Sequence, residues 1–253
     1  MKPAFVLPRR SLAACRRPKI TALLMTTIGL TLIARPLASQ PLPLPEHLIP
    51  LTSPEGQLLL RDSEALADYV PLTSHFVTQI NQAFCGVASV VMVLNALGTP
   101  APLAPQWEQA YFTQENVFTD ATEAIIGQQV IERQGLTLAE LADMLETYPV
   151  NAAIHHGSDV SLEEFRELIR TNLETPGNYV LINYLRRAIG QERGGHISPL
   201  AAYDADTDQF LILDVSRYKY PPVWVQANTL WESINTVDSV SGKTRGFLLI
   251  EAR

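Results

Sequence analysis

The 253 residues contain two cysteines, Cys15 and Cys85, and only Cys85 lies beyond an N-terminal stretch with the features of an export signal. A lone thiol makes neither an internal disulfide nor a thiolate metal cage, which leaves buried filler, an intermolecular bridge or a nucleophile. Its surroundings, Asn81-Gln82-Ala83-Phe84-Cys85-Gly86-Val87-Ala88-Ser89, favour the nucleophile. Val87, Val90, Val91, Leu94 and Leu97 recur at three- and four-residue steps, and Gly98 followed by Pro100 closes the run as a helix C-terminus closes. Cys85 therefore opens a helix. Unpaired N–H groups and the helix dipole there stabilise an anion, and thiol pKa values at such positions fall from about 8.5 into a range of roughly 3.5 to 7.5.

A nucleophilic thiol needs a base, and a base needs an orienting group. Asp204-Ala205-Asp206-Thr207-Asp208 separates two apolar runs, so residues 196–203 and 209–215 are expected to pair as a hairpin. A turn centred on Ala205 sets His196 opposite Asp214 on one face of the sheet, about 5 Å apart. The carboxylate then fixes the imidazole tautomer and stabilises its protonated form, leaving the second nitrogen for the thiol. Gln79, six residues before Cys85, is a fourth candidate, since its amide can fold back and donate to an oxyanion. His155-His156-Gly157 could hold a metal only with further ligands nearby, and is read as a solvated loop. No metal site is expected.

The elements that position these groups fall into two halves. Helix starts are expected at capping boxes: Asp120 with Glu123, Thr137 with Glu140 and Ser161 with Glu164. Leu136 with Leu141, and Val160 with Phe165, form hydrophobic staples at the last two. After Pro176-Gly177-Asn178 the pattern changes to short β-branched and aromatic runs at 179–185, 196–203, 209–215, 223–225 and 246–251. The expectation is an α+β fold, a helical subdomain followed by an antiparallel β-sheet subdomain, without repeats or Gly-rich phosphate loops.

Seven of the 19 basic residues and none of the 26 acids lie in residues 1–39, which also carry the apolar stretch Ile20 to Ile33. That stretch is short for a membrane span and suits a signal peptide, with an uncleaved anchor through residues 20–33 as the other reading. Either way the protein is expected to be exported, to the periplasm. Residues 40–50 alternate proline with apolar residues and read as a polyproline II connector, with the folded domain spanning 51–253. Without the leader, 12 basic residues face 26 acids, a formal charge of −14. Nucleic acid and anionic membrane surfaces are disfavoured as partners, and a homodimer is compatible with the sequence.

The stretches Thr78 to Ser89, Val93-Leu94-Asn95-Ala96-Leu97, Gly194-Gly195-His196-Ile197-Ser198-Pro199 and Asp214 to Pro222 resemble the phytochelatin synthase family, the glutathione γ-glutamylcysteinyltransferases. The resemblance covers roughly residues 50–250 and includes the order and spacing of Cys85, His196 and Asp214. It implies a papain-like cysteine peptidase core in which Cys85 is the nucleophile, His196 the base and acid, Asp214 the orienter and Gln79 the oxyanion donor. It further implies that Asp238 and Arg245, with Gly195, bind the γ-glutamyl end of glutathione. The chain looks like the short prokaryotic form, implying cleavage of glutathione to γ-glutamylcysteine and glycine ahead of phytochelatin synthesis. Cadmium or zinc would act as activators or as metal-glutathione substrate, and hydrolysis would need no cofactor. A general exported cysteine peptidase and a non-catalytic metal- or thiol-binding module are the competing readings.

Overall fold

The computed structural model describes residues 41–253. The expected export segment and Cys15 lie outside the described residues. In chain order the strands are β1 (Ile49–Pro50), β2 (Leu103–Ala104), β3 (Gln109–Ala110), β4 (Val150–His156), β5 (Asn178–Leu185), β6 (Gly195–Asp204), β7 (Gln209–Ile212), β8 (Val223–Gln226) and β9 (Gly246–Ala252). The helices are α1 (Pro54–Asp62), α2 (Tyr69–Ser74), α3 (Cys85–Ala96), α4 (Asp120–Ile125), α5 (Gln128–Gln134), α6 (Leu138–Glu146), α7 (Leu162–Glu174) and α8 (Ala227–Ile234). Seven strands form one antiparallel sheet in the order β1-β8-β7-β6-β5-β9-β4, and β2 pairs with β3 apart from it.

The α+β class is as expected, but its two halves interleave. β4, in the helix-rich half, pairs with β9 at the sheet edge, and α8 lies among the strands of the second half. Helices cover both faces of the sheet. Tyr179 and Leu181 of β5 join α3 and α6 in one core cluster, while Val180, Ile182 and Tyr184 join Phe165 and Ile169 of α7 and Leu230 of α8 in another. This is why β5 reads as an unbroken apolar run rather than an alternating one: both sets of side chains are buried. Each large apolar side chain so buried contributes about 1.5–3 kcal/mol.

The chain from residue 41 does not stand off as a connector. Leu42 N–H donates to the Lys219 carbonyl at 2.8 Å, Leu48 is buried, and β1 pairs with β8. Pro45 packs on Gly190, whose φ of +79° and lack of a Cβ admit the close approach. Apolar residues spaced by prolines thus serve as an edge of the core, and the domain begins before residue 51.

Two of the expected capping boxes form, Thr137 with Glu140 and Ser161 with Glu164. The third is shifted by one residue: Thr119 caps α4 and pairs with Thr122, because Thr119 holds the extended backbone (ψ 170°) that an N-cap requires. Asp120 instead places its charge in the first turn. His155 and His156 belong to β4, not a loop. His155 stacks on Phe247 with ring centroids 4.9 Å apart, and His156 Nδ1 bonds the Thr244 carbonyl at 2.7 Å.

The hairpin register also differs from expectation. The loop is residues 205–208, with Asp204 opposite Gln209 and Tyr203 opposite Phe210. Asp204 Oδ1 accepts from both the N–H and the hydroxyl of Thr207, and Asp208 sits at φ +54°, so four residues make the reversal. Continued unchanged, this register would put Asp214 opposite Pro199, on the other face from His196. A bulge at Ala201 intervenes, after which Leu200 faces Ile212 and Leu213 N–H donates to the Pro199 carbonyl at 3.0 Å. Asp214 then stands level with Ser198, two residues from His196 on the same face. The bulge restores the parity on which the pair depends.

Candidate active site

Cys85 begins α3, as expected, and α3 is buried on every side from Cys85 to Leu94. The residue before it, Phe84, caps the helix without a side-chain hydrogen bond, so the first-turn N–H groups remain available. Beside Cys85, at Gly86, the two walls of the site meet. A Cβ there would lie 2.9 Å from Leu136 Cδ1, on the loop between α5 and α6, and 3.4 Å from Ile197 Cδ1 of β6. The absence of a Cβ lets these side-chain methyls close over the helix start without shifting.

His196, the second residue of β6, hydrogen-bonds through Nε2 to Asp214 Oδ1 at 2.9 Å. Nδ1 is thus the nitrogen left for Cys85. Tyr184, its cross-strand neighbour, meets the imidazole edge to face, with centroids 5.7 Å apart. Burial opposes ionisation of Cys85, yet the hydrogen bond and charge of His196, with the N–H groups of Ile197 and Gly86, hold the thiol below its ordinary pKa. Burial and the Arg186 charge oppose protonation of His196, but Asp214 and Cys85 outweigh them and raise its pKa. Both shifts run in the direction that favours a thiolate and an imidazolium.

Sequence reasoning missed Arg186. This buried guanidinium lies 2.7 Å from Asp214 Oδ2 and donates to Asp214 Oδ1 at 2.9 Å. It also donates to Gln191 Oε1 and lies over the Tyr220 ring, 5.2 Å from its centroid. Although burial alone would raise the Asp214 pKa, His196 and Arg186 hold it well below the usual carboxylate range. The available signal was a charge closing the apolar run 179–185, but nothing in the sequence names its partner, 28 residues on.

A test follows from the sign of this charge. Arg186→Met leaves Asp214 with His196 as its remaining cation, so His196 keeps its proton to higher pH. The alkaline limb of the kcat/KM profile is expected to move upward, and stability to fall by about 3 kcal/mol or more, because one member of a buried pair is removed. Arg186→Lys should recover part of both. A limb that stays in place while only the amplitude drops would mean that Arg186 merely supports the fold.

Gln79 is buried but tied to the Asp214 segment. Its N–H donates to the Val215 carbonyl at 3.0 Å, its Oε1 accepts from the Ser216 hydroxyl at 2.5 Å, and its Nε2 donates to the Asn81 carbonyl at 2.7 Å. Ser216 N–H in turn donates to Asp214 Oδ1 at 2.8 Å. The amide has a second hydrogen beyond the one given to Asn81.

A cavity of about 660 Å³ opens beside the thiol and is lined by Cys85, His196, Gly195, Asn183, Asp238 and Arg245, among others. Arg245 is buried, donates to Asn183 Oδ1 at 3.1 Å and lies 3.7 Å from Asp238 Oδ2. Burial pulls its pKa below the ordinary value, with Asp238 opposing. Its guanidinium crosses the backbone of Gly195, where a Cβ would come within 2.5 Å of Nη1. The three expected substrate residues therefore form one unit, to which Asn183 is an addition that sequence reasoning missed. Such a wall presents a cation, a carboxylate and amide hydrogens to a ligand carrying opposite charges. Among the described residues, no group of three His, Cys, Asp or Glu side chains is arranged to hold a metal ion.

The family model described as phytochelatin synthase matches residues 39–247. The chain is 34% identical to a glutathione gamma-glutamylcysteinyltransferase 1 of Lotus japonicus, over 83% of this chain and 41% of that protein. It is 30% identical to glutathione gamma-glutamylcysteinyltransferase 1 of Arabidopsis thaliana, over 80% of this chain and 41% of the relative. A third relative, the glutathione gamma-glutamylcysteinyltransferase of Schizosaccharomyces pombe, is 30% identical over 74% and 44%. The chain spans less than half the length of these relatives.

Proposed function

The chain belongs to the phytochelatin synthase family, and from that premise we propose that it is a papain-like cysteine-nucleophile enzyme that cleaves the Cys–Gly bond of glutathione. The observation that carries this reading is the Cys85–His196–Asp214 chain opening into the same cavity as the buried Asp238–Arg245 unit. Arg245 takes the α-carboxylate of the γ-glutamyl group and Asp238 its ammonium, which places the cysteinyl carbonyl at the thiol. The thiolate attacks that carbonyl, and the oxyanion is met by N–H groups at the start of α3 and by the second amide hydrogen of Gln79. His196 then gives its proton to the departing glycine nitrogen as the C–N bond breaks, leaving γ-glutamylcysteine as a thioester on Cys85. Water, deprotonated by His196, attacks the thioester and releases γ-glutamylcysteine.

The amine of a second glutathione can replace water and give the longer product of phytochelatin synthesis. Water needs no site, whereas an amine must be held. Hydrolysis is therefore expected to dominate at low glutathione, with transfer rising as glutathione rises. Cadmium or zinc enters this reading as a thiolate complex of glutathione, that is, as substrate. The leader supports action beyond the cytoplasm.

A glutathione series followed for glycine, γ-glutamylcysteine and the transfer product, with and without cadmium or zinc, tests the proposal. Glycine and γ-glutamylcysteine should appear in equal amounts at low substrate. Cleavage of casein with no action on glutathione would replace this reading with that of a general peptidase.

A further inference from the structure

The cavity beside Cys85 has a second wall, formed by the C-terminal turn of α5 and the loop into α6, with Glu132, Arg133, Gly135 and Leu136 among its lining. This wall is packed against the nucleophile's own segment. A Cβ at Gly135 (φ +76°) would stand 3.5 Å from the Ala83 carbonyl, and Leu136 is the residue that touches Gly86. The Gly195–Arg245 unit is carried by the sheet, so Cys85 lies between the sheet wall and this helical wall.

Arginine occurs twice in the cavity lining, as Arg245 and Arg133. Arg245 is buried and engaged with Asp238 and Asn183. Arg133 is exposed in the last turn of α5 and makes no ion pair among the described residues. Its neighbour Glu132 is drawn along the helix, accepting from Gln128 Nε2 at 3.0 Å. A ligand whose first carboxylate is taken by Arg245 and whose chain passes the thiol brings its far end to this second wall.

Resting on the function proposed above, we infer that Arg133 is the carboxylate-binding residue of the leaving-group side. Glutathione ends in a glycyl carboxylate one carbon from the nitrogen that departs. The amine of an acceptor glutathione also has a carboxylate one carbon away. By microscopic reversibility the attacking nitrogen enters where the leaving nitrogen left, so one cation on this wall serves release and transfer alike.

Chemistry on the ligand isolates this contact. Glutathione and its glycyl ethyl ester differ only in that carboxylate, and kcat/KM for glycine or glycine-ester release is measured for both. The wild type should favour the free acid by about fivefold, the range of an exposed ion pair, and less at high salt. Arg133→Gln should bring the acid-to-ester ratio to about one and lower the transfer fraction in a glutathione series, while Arg133→Lys should keep the preference. A wild type active on glutathione whose ratio is unchanged in Arg133→Gln overturns the assignment alone. A wild type that releases no glycine from glutathione overturns the proposed function and this assignment with it.

Discussion

Cys85→Ser is expected to fold normally and to lose at least about three orders of magnitude of turnover on glutathione. The groups around Cys85, namely the His196 imidazolium and the N–H groups of Gly86 and Ile197, act on an anion. A thiol becomes one near neutral pH in this setting and a serine hydroxyl does not. His196→Ala should be about as damaging, and the double variant little worse than either, because the two residues act as one unit. Thermal melts and single-turnover glycine release on the three variants check this. Near-normal turnover by Cys85→Ser would remove the thiol from the mechanism, and losses that multiply in the double variant would mean that the two residues act separately.

The second large effect is expected from a single methyl group. In Gly195→Ala the new Cβ would fall 2.5 Å from Arg245 Nη1 and 2.9 Å from Cζ, so the guanidinium must leave its place over the strand. Losing a charge-assisted contact to the substrate costs about 1.5–3 kcal/mol, which is tenfold or more in KM. Gly195→Ala should therefore copy Arg245→Ala, and the double variant should be no worse than Arg245→Ala alone. Alkylation of Cys85 by a small reagent should proceed as in the wild type in all three. Independent, additive losses would mean that Gly195 acts through the strand rather than through Arg245.

The local part of this site was legible in the chain. A helix start is written in neighbouring residues, so Cys85 at the head of α3 and two capping boxes followed from spacing and side-chain chemistry. The His196–Asp214 contact was expected from a symmetrical hairpin and forms through a different one. Whether a strand holds a bulge depends on packing on both faces of the sheet, which no local pattern encodes. Arg186 and Asn183 were invisible for a related reason: their partners, Asp214 and Arg245, are distant in sequence and meet them only across the folded sheet. The strand β4 was obscured by its mixed polar and apolar residues, as befits an edge strand with exposed positions.

The bulge at Ala201 sets different tolerances for added and lost residues along one hairpin. A residue added in the exposed part of the loop 205–208 changes no side chain's face, provided the strands still pair from Asp204 and Gln209. Removing the one residue between Leu200 and Ala202 reverses the side on which every upstream side chain emerges relative to β7. His196 and Asp214 would then point to opposite faces. For this hairpin, the number of residues between the turn and the imidazole matters to the His196–Asp214 pair as much as the imidazole itself.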